Sequence, residues 1–260
     1  MLLAIDAGNT NIVFAICDGQ HIKAQWRCAS KVERTDDELG ILLHNFFTFS
    51  RISSETVTAI IIVTVVPTLT LMLQNLCRRY FNIEPMLIGD SKINIKINIE
   101  NQNKLGYDRI VTSFAARHLY QSFNQPIMII DFGTVTTFDF LNRNGDHIGG
   151  IIIPGLNMSL QALHMASSQL PMITLKKSYK IIGKNTIEAM QSGLYWGYIS
   201  MIEGLIYRIA KEQDTDVNDI TVVSTGGLAL YFTKAIDEIQ YLHNDLTILG
   251  LLMIYHINKK

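Results

Sequence analysis

At 260 residues, 48% of them hydrophobic, the chain can bury one large core or two of ordinary size, and its net charge of −1 lacks the basic surplus of a nucleic-acid binder. The three cysteines, Cys17, Cys28 and Cys77, are scattered without a Cys-x-x-Cys pair, which supports neither a disulfide framework nor a zinc site and fits a reducing cytoplasm. No apolar stretch reaches the ~20 residues of a membrane span, and the N-terminus shows no basic leader or cleavage site, so a soluble protein is expected, with no nucleic acid and no membrane among its partners.

Residues 1 to 28 read as three strands, Leu2 to Ile5, Ile12 to Ile16 and Ile22 to Cys28, the last two joined by a turn at Asp18-Gly19. Thr35 and Glu38 have capping-box spacing, and Leu39, Leu42, Leu43, Phe46 and Phe47 then recur at helical intervals. Thr58 to Val66 is a β-branched run expected to form a buried strand; Pro67 ends it and opens a helix to about Tyr80. Ile93, Ile95, Ile97 and Ile99 alternate with Lys92, Asn94, Lys96 and Asn98, which predicts a half-buried strand. Asp108-Arg109 then opens an amphipathic helix carrying Ile110, Val111, Phe114 and Leu119.

The second half repeats the order of the first. Ile127 to Ile130, Val135 to Leu141 and a strand through Ile151-Ile152-Ile153 form another meander, stopped by Pro154-Gly155. Helices are expected at about Leu156 to Ser168 and from Asn185 to roughly Glu212, the second with Asn185 and Glu188 at capping-box positions. Thr221 to Ser224 is a further buried strand, and Gly226-Gly227 passes it to a helix from Leu228. Gly193, Gly197 and Gly204 fall inside the long helix, where glycine costs stability unless close packing offsets it.

Each meander contains a similar turn: Asp6-Ala7-Gly8-Asn9-Thr10-Asn11 in the first, Asp131-Phe132-Gly133-Thr134-Val135-Thr136-Thr137 in the second. A glycine there lets successive backbone N–H groups converge on an anion, and Asn9, Thr10, Asn11, Thr134 and Thr136 add side-chain donors around the hollow. An Asp beside phosphate is useful only with a cation between them. One such turn alone is usually just a hairpin; two in matching contexts point to a paired phosphate-binding device. Gly183-Lys184 is not a Walker A loop, because the earlier glycine is replaced by Ser178 and Asn185 follows the lysine. The seven histidines show no metal-ligand spacing.

A strand meander with helices, repeated, with an Asp-Gly turn in each copy, resembles the actin-like ATPase and sugar-kinase superfamily. The implied fold is α/β: two tandem actin-like (ribonuclease H-like) halves, 1–122 and 123–260, each a mixed five-stranded-type sheet with flanking helices. Within it, Asp6-x-Gly8-Asn9-Thr10, Gly106-x-Asp108-Arg109, Asp131-x-Gly133-Thr134, Gly149-Gly150-x-Ile152-x-Pro154-Gly155, Gly183-Lys184-Asn185-Thr186 and Thr225-Gly226-Gly227 occur in the order seen in type III pantothenate kinases.

That resemblance implies ATP-dependent phosphorylation of pantothenate to 4'-phosphopantothenate, the first step of coenzyme A biosynthesis. It places Asp6, Ala7, Gly8, Asn9, Thr10, Asn11, Ile12, Val13 and Thr134 on ATP, and Gly106, Tyr107, Asp108, Arg109 and Thr186 on pantothenate. Asp108 is implied as general base and Asp131 as ligand of a monovalent cation, K⁺ or NH₄⁺, with Mg²⁺ arriving on the nucleotide. The family also implies a homodimer whose acceptor site includes the partner subunit. The stretch Ile99 to Leu105 departs from the family pattern before Gly106, and Tyr107 stands where a small residue is common, which bears on the shape of the acceptor pocket. Two other readings fit the fold: another small-molecule phosphotransferase or phosphohydrolase of the superfamily, and a non-catalytic regulator or accessory factor.

Overall fold

The computed structural model describes residues 1–121, 124–167 and 169–259. Its contacts divide the chain into two units, residues 1–95, 100–115 and 245–260 in the first and 96–99 and 116–244 in the second.

The first unit opens with β1 (Leu2–Ala7), β2 (Asn11–Asp18) and β3 (His21–Ala29), an antiparallel meander, followed by α1 (Asp36–Phe49), β4 (Ala59–Thr64), α2 (Pro67–Phe81) and the short β5 (Met86–Leu87). Strand order is β3-β2-β1-β4-β5, with β4 parallel to both β1 and β5. The Thr35–Glu38 capping box forms as expected and starts α1, and Pro67 occupies the first turn of α2, where no N–H is needed. α3 (Tyr107–Tyr120) follows.

The second unit repeats this plan with β6 (Ile127–Phe132), β7 (Val135–Leu141), β8 (His147–Pro154), α4 (Leu156–Ala166), α5 (Thr186–Glu212), β9 (Thr221–Thr225), α6 (Ala229–Thr233) and β10 (Tyr241–Leu242). Its order, β10-β9-β6-β7-β8, places β9 parallel to β6 and β10 parallel to β9, as in the first sheet. α7 (Leu246–Asn258) is the last element and belongs to the first unit.

Side chains alternate across β1: Leu3, Ile5 and Ala7 join the cluster under α1 and α2, whereas Leu2 and Ala4 join a second cluster with Val111 and Phe114 of α3 and Ile248, Leu251 and Leu252 of α7. Both faces are covered, which is why β1 and β4 read as unbroken apolar runs. α7 crosses α3 closely at Gly250, where an added Cβ would come 2.6 Å from the Val111 carbonyl oxygen. In the second unit, one large cluster unites β6, β7 and β9 with α4, α5 and α6 around Tyr195, Tyr198, Ile202 and Phe232.

The expected division at 122/123 falls on residues outside the described ones; residues 245–260 group with the first unit, where α7 packs on the second face of its sheet. Two expectations are corrected. Residues 93 to 99 form no strand: their burial alternates as expected, but the recorded bridge is a single one, Ile97 to His147, with Asn98 N donating to His147 O at 2.7 Å. The helix expected to reach Ser168 ends at Ala166, and Ser168 itself lies outside the described residues.

Candidate active site

In the first unit, β1 and β4 run parallel and finish level, Ala7 opposite Thr64. Ligands of α/β sheets collect at such carboxyl ends. The chain leaves β1 through Gly8, Asn9 and Thr10; Gly8 N donates to Asn11 O (3.0 Å), and Ser30 N donates to Thr10 O (2.8 Å), pinning the turn to the end of β3. Asn9, Thr10 and Asn11 are exposed, and Asp6 is half-buried. A Cβ on Gly8 would meet only Asn11 O at 3.5 Å, an ordinary contact, so the chain's own packing does not demand glycine there. Ile12 and Val13 are buried strand residues whose side chains belong to the core.

The Gly106–Arg109 motif lies beside this turn. Val65 N donates to Ala7 O (3.3 Å), and Val65 Cγ1 lies 3.6 Å from where a Gly106 Cβ would stand. That same place is occupied by the Asp108 carboxylate: Oδ1 is 2.5 Å from the Gly106 Cβ position and accepts from Arg109 N at 2.8 Å. The missing Cβ of Gly106 therefore makes the space in which Asp108 folds back over the start of α3. Asp108 and Arg109 are both half-buried, whereas Tyr107 is 44% exposed, its hydroxyl and ring edge laid against Gly89.

In the second unit, Asp131 is the last residue but one of β6, with Thr225 at the end of β9 opposite it. Gly226 follows with φ +92°, a conformation that favours glycine, and its missing Cβ leaves room for the Asp131 carboxylate, which a side chain would overlap. Gly133 and Thr134 are exposed at the turn, which is one residue shorter than the first: Phe132 pairs with Thr136, whereas Ala7 pairs with Ile12. Gly155, the residue before α4, lies against the Thr134 and Gly133 carbonyls.

Thr136 is not a donor in this hollow. It is 1% exposed and hydrogen-bonded to the Tyr198 hydroxyl on α5, because its side chain points from β7 toward the core rather than the turn. Thr186 is the exposed first residue of α5. Asn185 caps that helix by accepting from Glu188 N (2.9 Å), but Glu188 reaches past the cap to accept from Lys184 N (2.9 Å). The Lys184 N–H, then Asn185, holds the Glu188 carboxyl below its ordinary value. Gly183 packs against the backbone of this first turn.

Three residues escaped the sequence reading: Val65, which joins the turn to the Gly-x-Asp-Arg motif; Gly155, as a contact of the second turn; and Tyr198. Gly155 carried a signal, its place in a Pro-Gly stop between strand and helix, whereas the other two are apolar or aromatic residues like their neighbours.

The sequence matches the family model for type III pantothenate kinase over residues 2–208. It is 44% identical to the type III pantothenate kinase of Paramagnetospirillum magneticum, over 99% of this chain and 98% of that protein. Among solved structures, it resembles component A of the (R)-2-hydroxyglutaryl-CoA dehydratase of Acidaminococcus fermentans (TM-score 0.55, 15% identity, 100% of this chain and 99% of that one). It also resembles a Campylobacter jejuni protein assigned to the Baf family of transcriptional activators (TM-score 0.58, 19% identity, 98% of each chain). At these identities the structures establish the fold alone. With the ordered motifs placed on that fold and the match extending along the whole length, this chain belongs to the type III pantothenate kinase family.

Proposed function

We propose that the chain transfers the γ-phosphoryl group of ATP to the primary hydroxyl of pantothenate, giving 4'-phosphopantothenate, the first step of coenzyme A biosynthesis. Family membership supports the overall reaction. The observation that carries the site assignment is the Asp108 carboxylate folded over Gly106, joined through Val65 to the end of β1 where the first Asp-Gly turn begins.

Phosphoryl transfer asks the protein for positioning and charge stabilisation more than covalent work. In this reading, the turn from Asp6 to Val13 holds ATP phosphates, chiefly through backbone N–H groups, since Ile12 and Val13 keep their side chains in the core. Thr134 adds a phosphate contact from the second turn. Gly106, Tyr107, Arg109 and Thr186 hold pantothenate, and Asp108 accepts the proton of its attacking hydroxyl. Thr186 stands at a helix N-terminus, where backbone donors and the helix dipole favour the pantothenate carboxylate.

Mg²⁺ comes with the nucleotide, as is usual for a cation that keeps phosphates and water in its shell, and it makes the Asp6 carboxylate tolerable beside them. The Asp131 carboxylate, seated in the space left by Gly226, fits a monovalent cation, K⁺ or NH₄⁺, which would supply positive charge near the transferred group. A second copy of the chain is expected against α5. Side chains added at Gly193, Gly197 and Gly204 would meet nothing within 4 Å, so packing within the chain does not explain glycines that each cost a helix about 1 kcal/mol. Exposed Ile152, Met158, Met165 and Ile187 in the same unit fit such a contact. Three scattered cysteines without a Cys-x-x-Cys pair, together with the metabolic role, support a cytoplasmic location.

The test is Asp108→Asn, which keeps shape and removes the proton acceptor. A kcat loss on the order of 10²-fold or more with nucleotide binding retained is expected for removal of a general base. A kcat near that of the wild type would take Asp108 out of this role.

A further inference from the structure

Tyr198 lies near the middle of α5 and is 5% exposed. Its hydroxyl is hydrogen-bonded to Thr136 Oγ1, just beyond the second turn on β7, and lies 3.5 Å from the carbonyl oxygen of Pro154, the last residue of β8. Pro154 leads directly into Gly155, which rests on the Thr134 carbonyl. The Tyr198 ring packs on Phe232 of α6 (centroids 5.1 Å apart), and Phe232 stacks on Phe132 at 5.4 Å and 20°. Phe132 is the residue between Asp131 and Gly133. One side chain thus engages the strand leaving the turn through its hydroxyl, the β8–α4 junction through the same oxygen, and the strand entering the turn through a single intervening ring.

A phenylalanine at 198 and a valine at 136 would fill the same volumes with no polar group to satisfy, so core packing alone does not account for a buried hydroxyl pair at this place. Burial holds the Tyr198 phenol above its ordinary value, against the opposing effect of Thr136, so the phenol stays protonated at neutral pH.

We propose that Tyr198 is a positioning residue for the second phosphate turn, fixing β7 and the β8–α4 junction so that Thr134 meets the nucleotide in register. The proposal rests on the reading of that turn as a nucleotide site. Tyr198 acts through Thr136 and Gly155. Misplacement by about 1 Å costs on the order of 10²-fold in rate, and losing one hydroxyl while the ring stays in place shifts the turn less, so a loss of about 10-fold is expected.

The experiment compares Tyr198→Phe, Thr136→Val, their double variant and Thr136→Ser with the wild type. Tyr231→Phe is the control, because the Tyr231 hydroxyl is buried in the same aromatic group with no hydrogen-bond partner among the described residues. The readouts are kcat/KM for ATP, KM for pantothenate, calorimetric binding of a non-hydrolysable ATP analogue, and Tm. Both hydroxyl deletions should lower kcat/KM for ATP about 10-fold and weaken the analogue, leave KM for pantothenate unchanged, and combine with no further loss. Thr136→Ser should restore wild-type values, and Tyr231→Phe should have them. If Tyr198→Phe does not fold, Thr136→Val carries the comparison. Lower Tm with unchanged ATP parameters, or losses that add in the double variant, would overturn the proposal. A wild type that binds the analogue without phosphorylating pantothenate would refute the acceptor assignment alone, with analogue binding still deciding Tyr198; a wild type that does not bind the analogue would refute both.

Discussion

Replacing Gly155 with alanine tests how tightly the second turn is held. Gly155 has φ −67° and ψ 162°, which any residue adopts, so alanine brings no backbone strain and acts through its methyl alone. That methyl would stand 2.2 Å from Thr134 O, 2.8 Å from Thr134 C and 2.9 Å from Gly133 O, where real Cβ contacts begin at 3.0 Å. All three are backbone atoms of the turn, and none can rotate away, so the turn must move by about 0.8 Å or more to admit the methyl. A displacement of this order in a positioning element costs roughly 10²-fold in rate, and overpacking of one methyl costs about 1–3 kcal/mol, a fall in Tm on the order of 5 °C. The assay is ADP release coupled to NADH oxidation with ATP varied at saturating pantothenate, alongside a thermal melt. A folded variant with kcat/KM for ATP near that of the wild type would refute the claim that the Gly133–Thr134 backbone is part of the nucleotide site.

K⁺ or NH₄⁺ should activate the wild type and Na⁺ should do so poorly, with Asp131→Ala losing that preference; equal rates in the two buffers, with Asp131→Ala unaffected, would remove the cation from Asp131. Gly197→Phe should separate subunits and abolish pantothenate phosphorylation together, since an isologous contact meets every change twice; sedimentation showing a fully active monomer at micromolar concentration would contradict the shared site. The folded Glu188 carboxyl is held below its ordinary value of 4.5, so its contribution is present above that value and lost as pH falls through the lower folded one. Glu188→Gln should therefore lower Tm more at pH 7 than in acid; an equal fall at both would show that the carboxylate charge contributes nothing to the start of α5.

Much of the fold was legible because the signals are local. The Thr35–Glu38 box and Pro67 start helices by satisfying or dispensing with the first backbone donors, and the apolar runs of β1, β4, β6 and β9 belong to strands whose successive residues are nearly all buried. Alternation from Ile93 to Ile99 misled because it records burial on one side, which an extended segment shares with a strand, and carries no information on whether a ladder partner is present. The return of α7 to the first unit is likewise invisible locally, since an apolar helix carries no label for the sheet that it covers. In the candidate site, glycines and carboxylates marked the turns, but which oxygen each glycine makes room for, Asp108 at Gly106 and Asp131 at Gly226, depends on backbone geometry. Thr136 read as a turn donor because its spacing matches the turn; which way its hydroxyl points is decided by Tyr198, far along the chain.

The most direct measurement is product identity: purified chain incubated with ATP, pantothenate, Mg²⁺ and K⁺, with ADP and pantothenate-derived species quantified by mass spectrometry. One 4'-phosphopantothenate for each ADP, with no ADP formed when pantothenate is omitted, is the predicted result. ADP released at the same rate without pantothenate, or no ADP under any of these conditions, would contradict the assignment of this chain as a pantothenate kinase.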